Sequence, residues 1–220
     1  MDRLARVSLI DHSATDLAVN AGLTGTLYQM AYDPLTQVYM AVEGNTIEGF
    51  NRAGTRLGNP FINTTVGACV LATTRGVAVT NDSRLLAVGT GNDRLLVYDV
   101  SNPNSPTCVS SSTALNAFDP IAVLPHSNGL IYVATQANDR IYSFPSDASG
   151  AGTVVWDTNL TYVNNPTALL EMPDGTILVA SDGTNSIERI TTDGTLVGSG
   201  SFIKDGFTGL VHQMLLVGGE

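Results

Sequence analysis

Residues Ile121–Phe144, IAVLPHSNGLIYVATQANDRIYSF, decide the fold. They read as three short strands, Ile121–Leu124, Leu130–Thr135 and Arg140–Phe144. A Pro-His-Ser-Asn-Gly turn separates the first two, and Gln136-Ala137-Asn138-Asp139 separates the second from the third. Each run is β-branched or aromatic and bounded by turn formers, as antiparallel strands joined by hairpins are.

The same paragraph recurs along the chain. Aligned on the second strand, the copies are Val38–Ala41, Leu85–Ala87 with Val88, Ile131–Ala134 and Ile177–Ala180, with shared alanines at 41, 87, 134 and 180. Third strands follow at Thr46–Phe50, Arg94–Val100, Arg140–Phe144 and Ser186–Ile190, and a looser fourth strand comes after, for example Thr153–Asp157. Four antiparallel strands every 40–50 residues is roughly the period of a β-propeller blade. No segment carries the 3.6 period of a helical solenoid, and a two-sheet sandwich has no reason to repeat its sequence.

The two ends suggest a fifth blade. Met214–Glu220 followed by Met1–Leu4 gives MLLVGGE-MDRL, which overlies LLAVGTGNDRL at Leu85–Leu95 without a gap. The expectation is an all-β single domain over 1–220, a propeller of five four-stranded blades. The fifth takes its inner strands from Phe207–Val217 and its outer strands from Leu4–Ile10 and Thr15–Val19, with a shortened first hairpin around His212-Gln213. Such closure removes the unpaired sheet edges of an open ring. A monomeric ring follows. A share in a larger propeller or longer chain, or two chains completing one another, is the competing arrangement.

Composition bounds the function. The 220 residues are 43% hydrophobic and 14% charged, so they build a core. Net charge is −10 with one lysine, Lys204, which argues against nucleic acid and anionic membrane as partners. No run approaches the roughly 18 apolar residues of a membrane span, so no membrane insertion is expected. Charges interrupt MDRLARVSLIDHS, so it does not read as a signal peptide. Either the chain is cytoplasmic or a targeting segment is missing from it. Cys69 and Cys108 lack CxxC spacing, and their pairing stays open, to be settled by the compartment.

The loops after the second strand carry the repeated polar groups. Thr90-Gly91-Asn92-Asp93-Arg94 and Gln136-Ala137-Asn138-Asp139-Arg140 are nearly alike, and Asn45 and Asn185 fill the asparagine position elsewhere. Two readings stand. Asparagine and aspartate suit the left-handed turn such hairpins need. Alternatively, Asn92, Asp93, Asn138, Asp139 and Asn185 form a ring of ligand-binding groups. Trp156 and Tyr162, near Asn164-Asn165, are candidate stacking groups for a sugar, although blade packing accounts for Trp156 equally well. Asn63-Thr64-Thr65 and Asn159-Leu160-Thr161 match the glycosylation acceptor pattern.

No catalytic constellation is legible. His12, His126 and His212 sit at different points of the repeat, and neither GxSxG nor GK[ST] occurs. No metal or other cofactor is expected.

Gly129–Ala134 followed by Asn138–Ile141 resembles the YVTN-type bacterial surface propeller repeat, and Leu95–Pro103 resembles the related LVIVD repeat. Pro166–Leu178, with Pro173-Asp174-Gly175 before an apolar strand, is similar to NHL and lactonase-like propellers. The resemblance implies an extracellular or cell-surface location and a non-catalytic binding module, its loops presented to a carbohydrate or protein partner. It also implies an alternative, a metal-dependent lactonase-like hydrolase using channel carboxylates such as Glu43, Asp119 and Asp182. A purely architectural domain is the third reading.

Overall fold

The computed structural model describes residues 3–7, 14–19, 23, 26–115, 118–156, 161–204, 211, 213 and 214. The chain opens with a hairpin, β1 (Arg3–Val7) paired antiparallel to β2 (Ala14–Val19). Blade 1 follows as β3 (Leu27–Asp33), β4 (Val38–Glu43), β5 (Thr46–Asn51) and β6 (Arg56–Ile62). A two-residue-per-arm hairpin, β7 (Thr65–Val66) and β8 (Cys69–Val70), intervenes. Blade 2 is β9 (Thr74–Val79), β10 (Arg84–Gly89), β11 (Arg94–Asp99) and β12 (Thr107–Ser112). Blade 3 is β13 (Pro120–Pro125), β14 (Leu130–Thr135), β15 (Arg140–Pro145) and β16 (Thr153–Trp156). Blade 4 is β17 (Pro166–Glu171), β18 (Ile177–Ser181), β19 (Ser186–Ile190) and β20 (Ile203–Lys204). Each blade is a meander with its strands in sequence order.

Four complete blades are therefore present among the described residues, where the sequence pointed to five. The stretch expected to give the fifth blade's outer strands forms the hairpin β1–β2, a two-stranded sheet paired with no other strand among the described residues. The fifth blade's expected inner strands, Phe207–Val217, lie mostly outside the described residues, and Val211, Gln213 and Met214 are in no strand.

The first strands line the axis: β3 packs on β9, β9 on β13 and β13 on β17. Around them the blades stack face to face, burying apolar residues from both sides of each sheet. Val42, Met40 and Ile62 meet Leu85 and Leu96 between blades 1 and 2. Val88 and Leu95 meet Ile131 and Phe144 between blades 2 and 3. Ala134 and Trp156 meet Leu169 and Val179 between blades 3 and 4. The far side of blade 4, Ala168, Leu178, Ala180 and Ile187, packs against Val211 and Met214.

These interfaces correct the alignment on alanine. Val42, Val88, Ala134 and Ala180 each lie on the forward side of their blade. Ala87 lies on the backward side, packed toward blade 1. The equivalent positions are thus 42, 88, 134 and 180, and the spacing is uniform. A one-residue slip in a strand exchanges its two faces, and both faces here are apolar, so the slip left no mark in the residue pattern.

At one end of the axis the blades nearly touch. A Cβ on Gly76 of β9 would lie 2.6 Å from the Ile121 carbonyl oxygen in β13, which leaves no room for any larger residue.

Candidate functional site

Because strands alternate in direction, the turns between second and third strands share one face of the ring with the blade-to-blade links. The first-to-second and third-to-fourth turns share the other. We call these the upper and lower faces.

On the upper face the repeated polar loops form a chain of stitches between blades. The Asn45 side chain accepts the Thr73 backbone N–H at 2.7 Å. Asp93 accepts that of Asp119 at 3.0 Å, and Asp139 that of Asn165 at 2.6 Å. Thr73, Asp119 and Asn165 each precede a first strand, with φ of 45°, 49° and 54°. Their carbonyls in turn accept from the loop of their own blade: Thr90 N–H, Gln136 N–H and Asp182 N–H. Aspartate and asparagine are the residues that combine a short acceptor with tolerance of left-handed backbone, and Asp93 and Asp139 have φ of 51° and 56°.

Asn45 and Asn185 consequently match Asp93 and Asp139, the last turn residue, and not Asn92 and Asn138 as the sequence alignment had them. Asn185 has φ 50° and stands exposed. Asn92 donates to the Val70 carbonyl at 2.5 Å. Asn138 accepts from Thr135 and donates to the Tyr142 hydroxyl at 2.8 Å. Trp156 is buried between blades 3 and 4 at 6% exposure, its indole N–H without a partner among the described residues. Tyr162 packs on the same cluster and its carbonyl accepts from Thr184. Asn92, Asp93, Asn138, Asp139 and Trp156 thus each have a place in the fold, the Trp156 ring being buried.

The carboxylates of the hydrolase alternative also belong to the upper face. Glu43 ends β4, Asp119 is the stitched residue before β13, and Asp182 accepts from the Asn165 amide at 3.1 Å. Among the described residues no three histidine, cysteine, aspartate or glutamate side chains converge as a metal site requires.

The lower face differs. Between the first strands lies a cavity of about 650 Å³, bounded by residues 29–32, 77–79, 122–124 and 168–170 with Tyr39, Gln213 and Met214. These stretches are the halves of β3, β9, β13 and β17 that run into the lower turns. Apart from Gln29 and Gln213, whose amides bridge to Val77 N–H and the Met30 carbonyl, the wall is apolar or aromatic. Met30 and Tyr32 are 37% and 40% exposed, the Tyr32 ring lies tilted against Tyr39 with centroids 4.6 Å apart, and Leu35 projects from the adjoining turn. Sequence reading missed this feature, because its residues look like ordinary strand interior.

Beside the cavity, sharing Val79, runs a groove of about 310 Å³. His126 in its wall accepts the Asn128 N–H on Nδ1 and bonds the Gly175 carbonyl through Nε2 at 3.1 Å. Those partners assign the proton to Nε2. Glu171 accepts the Ser127 N–H at 3.0 Å and lies 3.5 Å from His126. These contacts tie blade 3 to blade 4 on the lower face. The lower turns also carry Asp99, Asp147, Asp174 and Asp193, each held below the usual carboxylate range by hydrogen bonds from a nearby serine or threonine.

A single disulfide joins Cys69 in β8 to Cys108 in β12, and no helix among the described residues is long and apolar enough to cross a membrane.

No protein-family model matches the chain, and no curated protein is similar to it in sequence. Solved structures are similar in fold. Nidogen in a complex with laminin aligns with a TM-score of 0.69 at 13% identity, over 89% of this chain and 70% of that one. A catalytically inactive virginiamycin B lyase from Staphylococcus aureus, solved with quinupristin, aligns at 0.67 and 12% identity, over 95% of this chain and 65% of that one. A gluconolactonase from Xanthomonas campestris aligns at 0.65 and 17% identity, over 92% and 71%. The chain thus spans 65–71% of the length of these three. Their activities differ while their scaffold is shared, so the likeness establishes the architecture alone: this chain has the fold of a β-propeller.

Proposed function

We propose that the chain is a non-catalytic binding module, acting outside the cell or at its surface, that takes a protein or carbohydrate partner at the lower mouth of its central cavity. The observation that carries this reading is the cavity itself. Its volume falls in the range of roughly 300–1,000 Å³ typical of ligand pockets, and its wall is largely apolar. The exposed Met30, Tyr32 and Leu35 extend that surface onto the rim, and contiguous exposed apolar surface is a mark of interaction sites. The disulfide supports an oxidising compartment. Nidogen, similar in fold, is found in complex with laminin, which supports a protein partner. A hydrolytic reading has only the fold likeness behind it.

Methionine methyl groups test this directly. Met30 and Met214 border the cavity, whereas Met40 is fully buried between blades 1 and 2. Titrating ¹³C-methyl-methionine protein with a neutral Ser-Phe-Ser peptide and a panel of linear oligosaccharides is expected to move the Met30 and Met214 signals and leave Met40 still. If no probe moves them, the cavity is not the binding site.

The same reading includes a closed ring. Gln213 reaches the Met30 carbonyl in blade 1 while Val211 and Met214 pack on blade 4, which supports a fifth blade completed by β1–β2. Light scattering and calorimetry of the 220-residue chain are expected to find a monomer with one cooperative transition. A dimer, or a broad transition with aggregation, means that the sheet edges are open.

A further inference from the structure

The chemistry around the cavity mouth narrows the partner, on the assumption that the cavity is the binding site. The groove that adjoins it at Val79 is walled by Asp82, Pro125, His126, Leu130 and Glu171, among others, and holds no lysine or arginine. Asp82 sits at a turn with its side chain 74% exposed, and the side chain of Glu171 is 23% exposed. Both ring nitrogens of His126 are engaged by backbone groups. The neighbouring Arg84 leans toward Asp99 at 3.4 Å and is more distant from Asp82, at 3.9 Å. An apolar chamber therefore opens directly beside a slot carrying two carboxylates.

We propose that cavity and groove together bind a cationic peptide segment: a large apolar side chain enters the cavity while a neighbouring lysine or arginine is met by Asp82 and Glu171. Charge complementarity selects this occupant. Net charge is −10, so an anionic lipid surface or a nucleic acid is repelled. A neutral sugar offers hydroxyl donors to the two carboxylates but no charge to balance them. A guanidinium between two carboxylates forms charge-assisted hydrogen bonds, stronger than neutral ones, and anchoring by one apolar group with a charged rim is the usual division of labour at protein interfaces.

The test compares two capped pentapeptides, Gly-Arg-Phe-Arg-Gly and Gly-Ser-Phe-Ser-Gly, by fluorescence anisotropy and by the methionine methyl signals. The arginine peptide is expected to bind about tenfold more tightly, with its advantage shrinking as salt rises. Both peptides should move Met30 and Met214. In Asp82→Asn/Glu171→Gln the advantage is expected to vanish while the methyl shifts persist. Asp82→Asn alone, at an exposed turn, should lose part of it, so a misfolded double variant does not shelter the proposal. Equal affinity of the two peptides overturns the cationic preference while leaving the cavity reading intact. An arginine preference that survives both variants overturns the assignment to Asp82 and Glu171. Failure of both peptides to move Met30 or Met214, or movement by oligosaccharide alone or by rising protein concentration alone, overturns peptide binding altogether.

Discussion

Replacing Cys69 and Cys108 together by serine is expected to lower stability by about 4 kcal/mol, the chain-entropy value for a loop of 39 residues. For a chain of this size that corresponds to a fall of about 8–16 °C in melting temperature. The size of the effect follows from what the bond spans. It ties β8, in the excursion between blades 1 and 2, to the outermost strand of blade 2, and β8 is otherwise held by a two-residue ladder with β7 and by the Asn92 amide on the Val70 carbonyl. Cys69 is fully buried beside Leu71 in the interface between blades 1 and 2, so its loss also loosens packing there. Burial has a second consequence: reductant reaches the bond mainly through opened states. Calorimetry should therefore find the reduced wild type melting together with the double serine variant, once reduction has been completed in denaturant and the chain refolded. Equal melting temperatures for oxidised and reduced protein would show that the bond constrains nothing that unfolding releases.

The strands were legible because the local signals agreed with one another. Leu130–Thr135 emerges at the limits read from the sequence, and its neighbours differ from their expected limits by a residue. In each case turn formers bracket a β-branched run. Which side of a blade each residue takes was not legible. LIYVA and LLAVG are apolar on both faces, so residue type does not tell one side of a blade from the other. The hairpin β7–β8 escaped because each arm is two residues long. The cavity escaped for a different reason. Ala122, Ala168 and Val77 become a wall only when four first strands are set around an axis, and that is a property of the ring. The disulfide lay beyond reach, since a separation of 39 residues carries no motif.

The polar loops show the same division, and they yield the sharpest test of what the repeat is for. Their turn chemistry was legible, but the group each side chain serves is a backbone N–H 26 or more residues away in the next blade. Asp139→Ala is accordingly expected to cost about 2–4 kcal/mol. About 1–3 of this comes from leaving the Asn165 N–H without its acceptor. About 1 more comes from forcing alanine into φ 56°. Asp139→Gly relieves the backbone and keeps only the first loss, so it should fall between alanine and wild type. Asp139→Asn retains both the acceptor and the backbone tolerance, as Asn45 does naturally in blade 1, and should melt within about 0.5 kcal/mol of wild type. Thermal or urea unfolding of the three variants checks the order. The carboxylate charge is irrelevant to a stitch and essential to an ionic ligand contact, so the asparagine variant separates the two roles. If Asp139→Asn keeps its stability and loses partner binding, the upper loops are a ligand ring after all. If Asp139→Ala melts like wild type, the loops are not a seam.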